Sequence, residues 1–216
     1  MDALRLTIAI IPLAVYLATL GLINLRPRPF VTTGARDIGA LGIGILGLMI
    51  AGPLELFLPE SVAIRFGGLV WLLLIVFYGL CVSLVVLLLR PRLVIYNATV
   101  DQLRPLLTDI AKNMDQKSRW TSDSMIIPNR RIHFHVESVD WLSNLQIIST
   151  GNRQSFEGWR ELELKLREAT ADARVPPNFL GSVFLLAALS LAIISAVELY
   201  MHQADVAIAF KDFLRL

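Results

Sequence analysis

FGGLVWLLLIVFYGLCVSLVVLLL, residues 66–89, carries no charged side chain between Arg65 and Arg90. A hydrocarbon layer of about 30 Å is crossed by roughly 20 helical residues, and this stretch has both the length and the composition to do it. Three further intervals behave alike: those between Arg5 and Arg26, between Asp37 and Glu55, and between Arg174 and Glu198. The chain is 55% hydrophobic with mean hydropathy +0.62, too apolar for a water-soluble domain of 216 residues. The expected fold is an integral membrane α-helical protein with four transmembrane helices, near residues 6–25, 38–57, 66–89 and 177–199. Residues 1–90 form its first membrane region. A small soluble α+β domain, residues 91–174, is inserted between helices three and four, and residues 175–216 hold the fourth helix and an amphipathic tail.

Two of the spans end alike, in Leu25-Arg26-Pro27-Arg28-Pro29 and Leu89-Arg90-Pro91-Arg92. Proline lacks a backbone donor and pushes the preceding residue out of the helical region, so each helix should stop there with its guanidinium groups among lipid headgroups. If the chain alternates, one side of the membrane holds Arg26, Arg28, Arg36, Arg90, Arg92 and Arg174, and the other holds Arg5, Arg65, Lys211 and Arg215. The richer side is expected to be cytoplasmic. The chain is then a multi-pass protein of a cell or inner membrane, with both termini outside and the soluble domain in the cytoplasm. The first span is longer than a secretory h-region and lacks an A-x-A site, so a retained helix is expected. On this topology the Asn97-Ala98-Thr99 sequon is a chance match.

The second span contains a literal G-x-G-x-x-G, Gly42 to Gly47. A dinucleotide fingerprint needs a strand before it and an aqueous helix after it, and here the glycines lie inside an apolar segment. Packing is the better reading. Ala40, Gly44, Gly47 and Ala51 form one helix stripe, and Ala188, Ala192 and Ser195 form another in span four. Small residues let helix backbones approach closely in lipid, so helices two and four are expected to pair, within one chain or between copies. Glu55 beyond Pro53 and Glu198 near the end of span four are ionisable groups at membrane edges, read as interfacial, with Arg65 a candidate partner for Glu55. Cys81, the single cysteine, reads as a small packing residue. After Tyr200, Val206, Phe210, Phe213 and Leu214 share a face opposite Asp205, Asp212 and Arg215, as in a short interfacial helix.

Within 91–174 the expected order is β-α-β-β-β-α. Leu93 to Tyr96 reads as a buried strand, and Thr99-Val100-Asp101-Gln102 as a capping box opening a helix marked by Leu103, Leu106, Leu107, Ile110 and Met114. Strands follow at 124–127, 131–137 and 145–149, then a helix over 155–171 supported by Glu161–Lys165 and Glu163–Arg167 pairs. On the middle strand Ile132, Phe134 and Val136 point to a core, leaving Arg131, His133, His135 and Glu137 on the other face. Two histidines at i, i+2 reach one metal, with Glu137 as a third ligand, but nothing else in the domain completes a set. A solvated or partner-facing strand is expected instead, with Arg130 and Arg131 able to touch headgroups. Trp120, Trp141 and Trp159 read as core or interface anchors.

No P-loop, nucleophile elbow, C-x-x-C or H-E-x-x-H occurs. Basic and acidic residues nearly cancel in the polar domain, so the sequence pI near 8.9 reflects arginines at membrane edges rather than a nucleic-acid surface. No catalytic, cofactor-binding or metal residue is assigned. The expected function is a non-enzymatic assembly or scaffold component that presents the cytoplasmic α+β module to a partner, as a homo-oligomer or with another protein. The alternatives are an oligomeric channel or transporter subunit with Glu55 lining a shared path, and a membrane-bound metal-dependent enzyme using His133, His135 and Glu137.

Overall fold

The computed structural model describes residues 3–54, 69–139, 144–151, 154–203, 205–206 and 210. The apolar stretches form helices α1 (Ala3–Leu25), α2 (Gly34–Met49, continued by a π-helical turn Ile50–Leu54) and α3 (Leu69–Leu88). The fourth, Phe179–Met201, is α6 in chain order. All four are long and apolar enough to cross a membrane. α2 starts four residues earlier than its composition predicts. The Thr33 hydroxyl accepts the Arg36 N–H at 3.3 Å, and Asp37 sits in the first turn, where the helix dipole favours an acid. Pro53 falls in the π-helical turn, where a missing donor is absorbed. Glu55 and Arg65 lie outside the described residues, as do Phe213, Leu214, Asp212 and Arg215 of the expected tail.

Contacts divide the chain into two compact units, one of Met1–Gly21, Ile38–Leu87 and Val183–Leu216, the other of Leu22–Asp37 and Leu88–Ser182. In the first, the α2 glycines meet α1 and α3, whereas the sequence stripes pointed to the fourth helix. A β-carbon on Gly47 would collide with the Ile8 carbonyl oxygen and touch Pro12 at 3.0 Å. The reason lies in α1: Pro12 has no N–H, so the Ile8 carbonyl loses its helical partner. Gly47 turns its Cα hydrogen toward that oxygen, a weak donor where no strong one is available. Gly44 meets Tyr16, one turn further along α1, at 2.8 Å from the same kind of β position. On α3, Val82 packs on Gly42 while the Tyr78 hydroxyl, one turn away, donates to the Gly42 carbonyl at 2.7 Å.

Three hydroxyls on these helices donate to a carbonyl one turn back: Thr7 to Ala3, Thr19 to Val15 and Ser83 to Gly79. Most of the apolar side-chain surface is uncovered. On α3, Leu72, Phe77, Leu80, Leu84 and Leu87 are 56–81% exposed.

The second unit is a two-layer α+β structure. Its strands are β1 (Phe30–Thr33), β2 (Arg92–Tyr96), β3 (Arg119–Thr121), β4 (Ser124–Ile127), β5 (Ile132–Val139) and β6 (Asn144–Ser149). They form one antiparallel sheet in the order β1-β2-β6-β5-β4-β3. Helices α4 (Val100–Met114) and α5 (Phe156–Ala171) cover one face. The capping box is present, with Gln102 Oε1 reached by the Thr99 N–H at 3.4 Å. Leu103, Leu107, Ile110, Trp159, Leu162 and Leu166 from the helices bury against Leu93, Ile95, Met125, Phe134, Leu145 and Ile147 of the sheet.

Two strands stand beyond the predicted β-α-β-β-β-α order. β3 forms a tight hairpin with β4 through Ser122, whose φ of 53° is left-handed. β1 comes from the link between α1 and α2 and pairs with β2 in the register Phe30–Tyr96 to Thr33–Leu93. The sheet is therefore built from two separate stretches of chain.

Candidate functional site

Alternation along β5 places Ile132 and Phe134 in the core at 1% and 0% exposure, and His133, His135 and Glu137 together on the face away from the helices. His135 is occupied at both ring nitrogens. Nε2 lies 2.7 Å from Glu137 Oε1, and Nδ1 lies 3.0 Å from the Thr150 hydroxyl. His133 is held through its backbone: its N–H donates to Gln154 Oε1 at 3.2 Å, and its carbonyl accepts from Gln154 Nε2 at 3.0 Å. Gln154 thus pairs with the strand as another strand would, and its Oε1 also accepts from the Trp159 indole at 3.0 Å. Among the described residues, no group of three or more His, Cys, Asp and Glu side chains is placed to hold a metal ion. His133, His135 and Glu137 share a polar face, on which His135 and Glu137 bond each other.

A second site is one that sequence reasoning did not single out. It is an open groove of about 720 Å³ in the sheet unit, between residues 26–32 and the last turns of α5. Arg26, Arg28, Arg36 and Arg167 line it. The Arg-Pro-Arg-Pro run sets its local geometry, because each arginine precedes a proline and is confined to extended backbone. Three bonds fix the run in place. Asn97 Nδ2 donates to the Arg26 carbonyl at 2.8 Å, Val175 N–H to the Pro27 carbonyl at 3.0 Å, and Asn178 N–H to the Asn24 carbonyl at 3.0 Å. Asn97 does this from a left-handed backbone (φ 57°) and is 5% exposed, so the nitrogen of the sequon is already committed.

The charges of the groove are unequal. Glu163 Oε1, on a side chain only 14% exposed, accepts from Arg36 Nη1 at 2.9 Å and Arg167 Nη2 at 2.8 Å. Arg26 lies over the Phe30 ring, its guanidinium carbon 6.0 Å from the centroid. Two of the four guanidinium groups, Arg36 and Arg167, thus share one carboxylate. Arg26 and Arg28 have no carboxylate partner among the described residues. The arrangement can hold an anion with planar, forked donors.

The other expected positions are placed as follows. Cys81 is exposed on α3. Glu198 pairs with His202 one turn on, at 3.4 Å. Arg130 bonds Glu161 at 3.2 Å, and Arg131 caps a 3-10 turn with φ 50°. Trp159 is core, Trp120 packs against it in part, and Trp141 lies outside the described residues. No family model, curated protein or solved structure matches the chain.

Proposed function

We propose that the chain is a multi-pass membrane protein whose four apolar helices span a bilayer, and that it serves as a non-enzymatic assembly component presenting its sheet unit to a partner in the cytoplasm. The observation that carries the reading is the uncovered apolar surface of α3, only 11% of whose apolar window is buried. In water each fully exposed Leu or Phe forgoes about 1.5–3 kcal/mol of burial, and a soluble monomer rarely exposes so large a patch.

Sidedness has separate support. Arg26, Arg28, Arg36, Arg90, Arg92 and Arg174 all belong to the unit made of Leu22–Asp37 and Leu88–Ser182. That unit is the arginine-rich one, and it joins the chain at one end of each apolar helix. Both termini then lie on the opposite, outer side. The small-residue contacts of Gly44 and Gly47 are used inside the chain, so assembly with other copies or proteins relies on the remaining helix faces or on the sheet unit.

Native mass spectrometry of the full chain from its own membrane, in mild detergent, tests the assembly reading. The expected result is a complex of fixed stoichiometry, of copies or with a second polypeptide. A monomer at every concentration, in detergent and in nanodiscs alike, contradicts it.

A further inference from the structure

We infer that the groove lined by Arg26, Arg28, Arg36 and Arg167 binds the phosphate of an anionic phospholipid, an inference that rests on the membrane reading above. Its position follows from the chain. Arg26 directly succeeds Leu25, the last residue of α1, and Arg36 lies in the first turn of α2. The first polar residues beyond a spanning helix lie at headgroup depth, where long basic side chains reach lipid phosphate.

Charge selects an anion. Glu163 is shared between Arg36 and Arg167, while Arg26 and Arg28 meet no carboxylate among the described residues. Guanidinium forks match phosphate oxygens two at a time. Pro27 and Pro29 restrict the backbone of the two unneutralised arginines, so less backbone freedom is lost on binding. Phe30 and Pro29, in the same wall, offer apolar surface to the glycerol and upper acyl carbons.

An acidic peptide adding to the edge strand β1 fits less well. Val31 and Thr32 are only 4% and 6% exposed, which leaves little of that strand open to a new neighbour. A free phosphate would gain nothing from the apolar wall.

The test uses purified full-length protein in a neutral maltoside detergent, with thermal stability followed during titration. The ligands are phosphatidylglycerol, phosphatidylcholine of the same acyl chains, and inorganic phosphate. Saturable stabilisation by phosphatidylglycerol is expected, with phosphatidylcholine and inorganic phosphate far weaker. Each basic contact near a membrane surface contributes roughly fivefold, so Arg26→Gln with Arg28→Gln should lose about 30-fold in apparent affinity. Lys112→Gln with Arg119→Gln, on exposed positions elsewhere in the unit, should lose less than about twofold. Arg28→Gln alone, at an exposed side chain, provides the same reading if the double variant does not fold.

Equal response to the two lipids, unchanged affinity in the arginine variants, or preferential binding of inorganic phosphate overturns the inference. Alkaline carbonate extraction separates this from the underlying reading. Protein released from membranes defeats the membrane assignment itself, whereas retained protein without lipid preference defeats only the groove.

Discussion

Asp115 ends α4 and ties it to the turn after β4. One carboxylate oxygen accepts the Lys117 N–H at 2.9 Å and the Asn129 side-chain amide at 3.0 Å, and the other accepts the Asn129 N–H at 2.9 Å. The Asn129 and Lys117 backbone donors hold this carboxyl below the usual carboxylate range. Its stabilising effect is complete above the unfolded value of about 3.9 and fades as pH falls through the lower folded value. Asp115→Asn should therefore melt below the native protein at pH 7, and the gap should close in acid below about pH 4. Parallel melting curves across that range check the sign.

Gln154 makes a comparable junction among β5, Thr150 and Trp159. Replacing it by leucine strands the His133 N–H and the Trp159 indole, at a cost of about 1–3 kcal/mol in denaturant titrations. None of these polar junctions was legible in the sequence, because each depends on partners brought together by turns. The shared face of His133, His135 and Glu137 was legible, since strand alternation encodes it directly.

At the scale of elements, Pro12 and Gly47 act as one feature on two helices. The carbonyl that Pro12 leaves without a helical donor is a rigid backbone group, so a side chain at Gly47 cannot be accommodated by a rotamer change. Gly47→Ala should lower stability by about 1–3 kcal/mol, the cost of overpacking. Gly39→Ala, with nothing within 4 Å of its β position, should show no loss. Differential scanning of the two variants in one detergent makes the comparison.

The apolar helices were legible because a run of some twenty uncharged residues is a signal that survives any context. Their partners were not. Small-residue stripes mark a flat face, but they do not say which neighbour fills it. The short strands β1 and β3 were missed for a related reason: four and three residues carry too little alternation. In addition, β1 finds its partner only after two apolar helices have intervened in the chain.

For the whole molecule, the arginine-rich groove gathers residues from the α1–α2 link and from α5, and only folding joins them. The Arg-Pro-Arg-Pro run is visible in sequence as a helix stop, and the second role emerges once Asn97, Val175 and Glu163 are in place. The same separation of charged and apolar segments underlies the proposed placement in the membrane. On the proposed reading, four helices lie in lipid, with the sheet unit on the cytoplasmic side and the chain beyond α6 outside. Site-directed labelling tests it most directly. In a Cys81→Ser background, His202→Cys and Lys112→Cys are each exposed to a membrane-impermeant maleimide in intact cells and again after permeabilisation. His202→Cys is expected to label in intact cells and Lys112→Cys only once the membrane is opened. The reverse order, or equal labelling of both before permeabilisation, would contradict it.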